Sequence, residues 1–220
     1  VTGTAGAPGL AQVNWNNVAI PPGGQTGMAN SLLNNLGLAT AASISWTANG
    51  TFSTGIPLTS ENQRLMRGFL DSFGGTPGTV NVTGVPFLTY DVVVYFDGAN
   101  ASEHQVQSFT VGSQTLFGRD AANTNFNGTF IQIPNASTGD LGVNTPAGNF
   151  MVFSGLSGNS FALTATAAST SGSFRRARVN GLQIVEVQVV PLHPITWLLG
   201  GMLLGITGWL RLRHQSRRAT

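Results

Sequence analysis

The side chains of this 220-residue chain that could do chemistry are few and thinly spread. Paired carboxylates flanking a cleft would serve acid–base hydrolysis. Asp97, Glu103, Asp120 and Asp140 qualify by type, but no spacing sets two of them together. His104, His193 and His214 stand far apart and form no His-rich metal motif. Lys and Cys are absent. That removes a P-loop, a Ser-x-x-Lys pair, thiolate metal sites and thiol nucleophiles, and no Gly-x-Ser-x-Gly elbow occurs. The residues predict no enzyme.

Binding chemistry is better represented. A sugar is held by stacking its apolar face on an aromatic ring while amides, carboxylates and guanidinium groups bond its hydroxyls. Trp15 lies among Asn14, Asn16 and Asn17, Tyr95 precedes Asp97, and Arg119 follows Gly118. Trp15, Asn16, Tyr95, Asp97 and Arg119 are therefore the candidate carbohydrate-binding residues. The competing reading makes Trp15 a packing residue and the Asn cluster turn-forming, because Asn tolerates left-handed backbone and caps its own turn. Trp46 and Tyr90 read as core. Asp97, Asn100 and Glu103 are the nearest approach to an oxygen-rich Ca²⁺ loop, without matching a Ca²⁺-loop pattern. Beyond that possible structural Ca²⁺, no cofactor is expected. Arg175, Arg176 and Arg178 form one basic cluster, suited to an anionic glycan or to solvated salt bridges.

Short strands and tight turns must position these groups. Only 8% of residues are charged, against a usual quarter. Gly, Asn and β-branched Thr weaken helices. Residues 1–12 are Gly-, Ala- and Pro-rich and read as a flexible leader. Ala42–Thr47 alternates as a strand, with 51–56 as its hairpin partner. Ser60 and Gln63 form a capping box for one short helix. Leu65, Met66, Phe69, Leu70 and Phe73 fall on one helical face, and Gly74-Gly75 ends it. Further strands are expected over 79–83, 90–96, 107–111, 129–133, 149–153, 160–166 and 179–189, the last changing phase near Val185. Tyr90–Phe96 is apolar on both sides and predicts a central strand. The class is all-β: an antiparallel jelly-roll-like sandwich with one short helix over 13–189.

Residues 190–220 differ. Ile195–Leu210 carries no charge and spans about 24 Å as a helix, a little short of a hydrocarbon core of about 30 Å. Trp197 and Trp209 stand near its ends, and Gly201 and Gly205 make a small-xxx-small pair. Arg211, Arg213, Arg217 and Arg218 follow, which predicts a transmembrane helix with a cytoplasmic C-terminus and the remainder outside. Without those four, six Arg face eight acids, so the body is slightly acidic and no nucleic-acid partner is expected. Export implies a signal peptide ahead of Val1 in the precursor.

Val190-Pro191, the sixteen apolar residues and the terminal Arg cluster resemble the PEP-CTERM sorting tail. That resemblance implies an exported protein of a Gram-negative bacterium, processed by an exosortase. Pro191-Leu-His-Pro194 stands where the family has Pro-Glu-Pro, which leaves a retained anchor as the alternative to cleavage. A second resemblance rests on Asn14-Trp15, Leu65–Asp71, Val82–Pro86, Tyr90–Phe96, Phe150–Leu156 and Arg176–Val185. Their order is similar to surface proteins of planctomycete-type bacteria with a galactose-binding-like jelly roll. Together these imply a structural or adhesive envelope protein, with self-assembly through its leader as an added strand the expectation to test. The alternative is a carbohydrate-binding module for extracellular polysaccharide.

Overall fold

Tyr90-Asp-Val-Val-Val-Tyr95 is apolar on both faces, and the fold is built around it. The structure, a computed structural model, describes residues 1–18, 25–98, 104–121, 124–134, 145–168 and 175–188. Among them the order is β1 (Thr26–Ala29), β2 (Ser43–Thr47), β3 (Gly50–Ser53), α1 (Glu61–Arg67), β4 (Gly68–Phe73), β5 (Gly78–Thr83) and β6 (Thr89–Tyr95). There follow β7 (Gln105–Val111), β8 (Gln114–Asp120), β9 (Phe150–Ser157), β10 (Ser160–Ala167), β11 (Arg176–Val179) and β12 (Gly181–Glu186).

All strand pairings among these elements are antiparallel. One sheet runs β1-β2-β5-β10-β7-β8, a second β11-β4-β3 and a third β12-β6-β9. The expected all-β class is therefore found, and β6 is the middle strand of its sheet. Tyr90, Val92 and Val94 on one face of β6 join Val80, Val82, Phe109 and Leu163 of the large sheet in a single core. Each such side chain, fully buried, contributes about 1.5–3 kcal/mol. Val93 and Tyr95 on the other face join a second core with Ala5, Ala7, Leu65, Met66 and Phe150. Asp91 sits where the β6–β9 register shifts, and its Oδ1 accepts the Gly155 N–H at 2.9 Å. This bulge places a charge in the strand without burying it in either core.

Several expectations are corrected. The capping box forms as read: Ser60 Oγ accepts the Gln63 N–H at 3.2 Å, and Gln63 Oε1 accepts the Ser60 N–H at 3.1 Å. The helix nevertheless ends at Arg67, and Gly68 already has extended backbone, φ −95° and ψ 148°. Phe69, Leu70 and Phe73 are on β4, where pairing with β3 and β11 overrides the helical spacing. Residues 50–53 pair with β4, not with β2, because the chain crosses between sheets after Thr47. The expected final strand is two strands in different sheets, divided at Asn180. Residues 129–133 form only a parallel bridge, Gln132 to Phe150.

Nor are residues 1–12 a free leader. Ala5 and Gln12 bridge one another, Ala5 and Ala7 are buried, and Ala7 N–H donates to Tyr95 Oη at 3.2 Å. Small residues are what that space under Tyr95 accepts. The chain divides into two units, Val1–Val187 and Gln188–Thr220. Trp197, Gly201, Gly205, Trp209, Arg211 and Arg213 of the expected anchor lie outside the described residues. Among the described residues no helix is long and apolar enough to cross a membrane.

Candidate functional site

One cavity of the described residues begins with a glycine. Gly27 of β1 stands directly opposite Trp46 of β2. A Cβ on Gly27 would lie 2.0 Å from the indole Cζ2, so only glycine lets the ring lie over the edge strand. Trp46, Ile44, Val80 and Val82 line the cavity from the large sheet, and Leu70, Leu182 and Ile184 line it from the other two. Trp15, Asn16 and Leu33 contribute from the loops, and the volume is about 920 Å³. That lies within the range of ligand sites.

Many of the polar side chains around it are already engaged. Asn16 exchanges two hydrogen bonds with the backbone of Leu33, Nδ2 to its carbonyl at 2.9 Å and Oδ1 from its N–H at 2.8 Å. Asn14 Nδ2 donates to the Asn35 carbonyl, and Asn17 Nδ2 to the Val1 carbonyl. Asn34 Oδ1 accepts the N–H groups of Leu36 and Leu38. Gln183 accepts from Tyr95 Oη and donates to the Leu10 carbonyl. Arg64 pairs with Glu61 at 3.2 Å. One buried group of the lining differs: Trp46 is 6% exposed, and its Nε1 has no hydrogen-bond partner among the described residues.

A second constellation is ionic and buried. On β11 and β4, alternation sets Arg176, Arg178 and Asp71 on one face, with Arg178 directly opposite Asp71. Arg176 Nη1 bonds Asp71 Oδ2, and Arg178 Nη1 donates to Asp120 Oδ2 at 2.7 Å. The Arg178 N–H donates to Gln107 Oε1, and its guanidinium lies 5.5 Å from the Phe69 ring centre. Asp97 Oδ2 accepts the Phe126 N–H at 2.9 Å. Burial pushes the Asp97 carboxyl up to about 6, against the pull of the Phe126 hydrogen bond and Arg178. Burial likewise raises Asp71, with Arg176 and Arg178 opposing. It lowers the Arg178 guanidinium, with Asp120 and Asp71 opposing. Arg176 and Arg178 are thus partners of buried acids: of the roles offered by the sequence, an anionic-glycan site or salt bridges, these two form salt bridges, and with buried rather than solvated carboxylates.

The structure divides the candidate sugar-binding residues. Trp15 and Asn16 reach the cavity; Asp97 belongs to the ionic layer. Tyr95 is fully buried, its hydroxyl held between Ala7 and Gln183, so its ring offers no face for a sugar. Trp15 is half-buried, packs edge-on to Tyr95 at 5.9 Å, and donates to the carbonyls of Ala5 and Gln12. Arg119 donates from Nε to the Thr145 carbonyl at 2.9 Å. Asn100 and Glu103, proposed with Asp97 for Ca²⁺, lie outside the described residues, within which no group of three or more His, Cys, Asp or Glu is placed to hold a metal. Trp46, read from sequence as core, is buried in the core and in addition lines this cavity; a glycine in the strand facing it was the available signal for the second role.

No family model, curated protein or solved structure matches the chain.

Proposed function

We propose that this chain is an exported bacterial surface protein with a structural or adhesive role, a jelly-roll-like sandwich of the galactose-binding-like kind held at the membrane by its C-terminal segment. The observation that carries the adhesive reading is a loop that presents leucines to water on a pinned backbone. Leu33, Leu36 and Leu38 are 44%, 73% and 60% exposed. Asn34 holds the loop from inside: its Oδ1 takes two N–H groups, and its own N–H donates to the Leu38 carbonyl at 2.9 Å. Apolar side chains ordered in this way associate at low entropic cost, since the loop does not have to be frozen on contact. Met28 on edge strand β1, 65% exposed, adds to the apolar surface of the same sheet edge.

The low charge of the body and the apolar stretch followed by Arg support the remainder. Its partners in this reading are other copies of the chain, the membrane, and an exosortase-type enzyme wherever the tail is cut. Sedimentation of the full chain in nanodiscs tests the adhesive role. Reversible self-association that the double variant Leu36→Ser, Leu38→Ser abolishes supports it; a monomer at all concentrations, with no cell–cell adhesion lost in that variant, refutes it. Protease shaving of intact cells tests the exported placement.

A further inference from the structure

The cavity behind Trp46 has a chemistry of its own. We infer that it is a binding site for an uncharged, largely apolar ligand bearing a hydrogen-bond acceptor, to which the Trp46 indole N–H donates. This inference does not depend on where the protein resides or on what its leucine loop contacts.

Four observations select that ligand class. The walls contributed by the sheets are hydrocarbon and indole: Ile44, Val80 and Val82 on one side, Leu70, Leu182 and Ile184 on the other. Apolar surface of this kind gains from removing another apolar surface from water. A charged ligand would leave water for apolar walls at a cost, and of the charged side chains in the lining Arg64 is paired with Glu61 and Glu186 is exposed at the end of β12. The amides of Asn16, Asn17 and Gln183, which a sugar would need, are already bonded within the protein. Of the buried polar side-chain atoms in the lining, one has no partner among the described residues: the donor Trp46 Nε1. An unmade buried hydrogen bond of that kind is costly, and a ligand oxygen at that position removes the cost. Gly27 keeps the indole in place, since any larger residue would strike it.

The test uses the full chain labelled with 5-fluorotryptophan, in nanodiscs. Its four Trp residues supply four ¹⁹F resonances, two at this cavity, Trp15 and Trp46, and two in the tail, Trp197 and Trp209. The probes are 2-acetylnaphthalene, 2-ethylnaphthalene, 2-naphthoate and methyl β-galactoside. We expect saturable shifts of the Trp15 and Trp46 lines with the first two and none with the last two, while the tail lines stay in place. In the unlabelled wild-type chain the Trp46 Nε1 proton should move downfield with the ketone and not with the hydrocarbon. Trp46→Phe, read on Trp15, should weaken the ketone about fivefold and leave the hydrocarbon within about twofold. Leu182→Trp should weaken both at least about tenfold by filling the space. The inference is overturned if neither naphthalene gives a saturable Trp46 shift, if tail and cavity lines move together, if the galactoside or naphthoate binds there, or if the indole proton responds equally to ketone and hydrocarbon.

Discussion

Arg178 Nη1 stands 2.7 Å from Asp120 Oδ2, and each side chain is 2% exposed. The two residues are 58 positions apart and belong to different sheets. A buried pair of this kind is weak evidence of net stability, but breaking it is expensive, because the surviving charge has no water to return to. Asp120→Ala should therefore cost about 3–5 kcal/mol in urea unfolding. Replacing both, Asp120→Leu with Arg178→Met, should recover most of that loss. A double variant as unstable as the single would show that the pair itself, and not the orphaned charge, holds the sheets.

Asp97 makes stability depend on pH in the less common direction. Its folded-state carboxyl is raised to about 6 from 3.8, so the folded protein binds its proton more tightly than the unfolded chain does. Stability from this group is present below about pH 4 and falls as pH rises through 6, by on the order of 2–3 kcal/mol. Asp97→Asn keeps an oxygen for the Phe126 N–H and removes the charge. The variant should be the more stable protein above pH 6 and should lose the slope between pH 4 and 6. Parallel wild-type and variant curves would refute this account.

Gly27→Ala should displace the Trp46 indole, because the added Cβ would meet Cζ2 at 2.0 Å. The expected cost is about 1–3 kcal/mol, with a red shift of the Trp46 emission as the ring moves toward water. An unchanged emission spectrum would mean that β1 yields instead of the ring.

Tyr95→Phe should leave the Ala7 N–H and Gln183 Oε1 facing each other across an apolar ring. A loss of about 1–3 kcal/mol is expected. Amide exchange should accelerate at Ala5 and Gln12, whose mutual bridge depends on that anchor. Exchange that rises uniformly across β6 would argue for general destabilisation instead.

Much of the framework was readable in advance. β2, β5, β6 and β10 fall close to where alternation placed them, and the Ser60–Gln63 cap forms as its spacing required. β1 and β8 were missed: Thr26–Ala29 is four residues with little alternation, and Gln114–Asp120 carries Gly118 and two charges. Gly118 is there because a Cβ would meet the Phe96 ring at 2.6 Å, a demand made by a residue 22 positions earlier in the chain. Phe69 and Phe73 misled for a related reason. Their spacing suits a helix, yet in β4 they flank Asp71 beneath Arg176 and Arg178, and that arrangement exists only once β11 has returned to pair with it.

By itself the sequence determined the all-β class, the two-faced central strand and the capped helix start. Each depends on neighbours within a few residues, where backbone preference and side-chain period act. Only the tertiary structure decided that Trp46 lines a cavity, that Tyr95 is beyond reach of any sugar, and that the Arg178 charge is buried against Asp120. Those outcomes depend on which strands become neighbours, and strand pairing joins residues far apart in sequence whose types carry no mark of the partner they will meet.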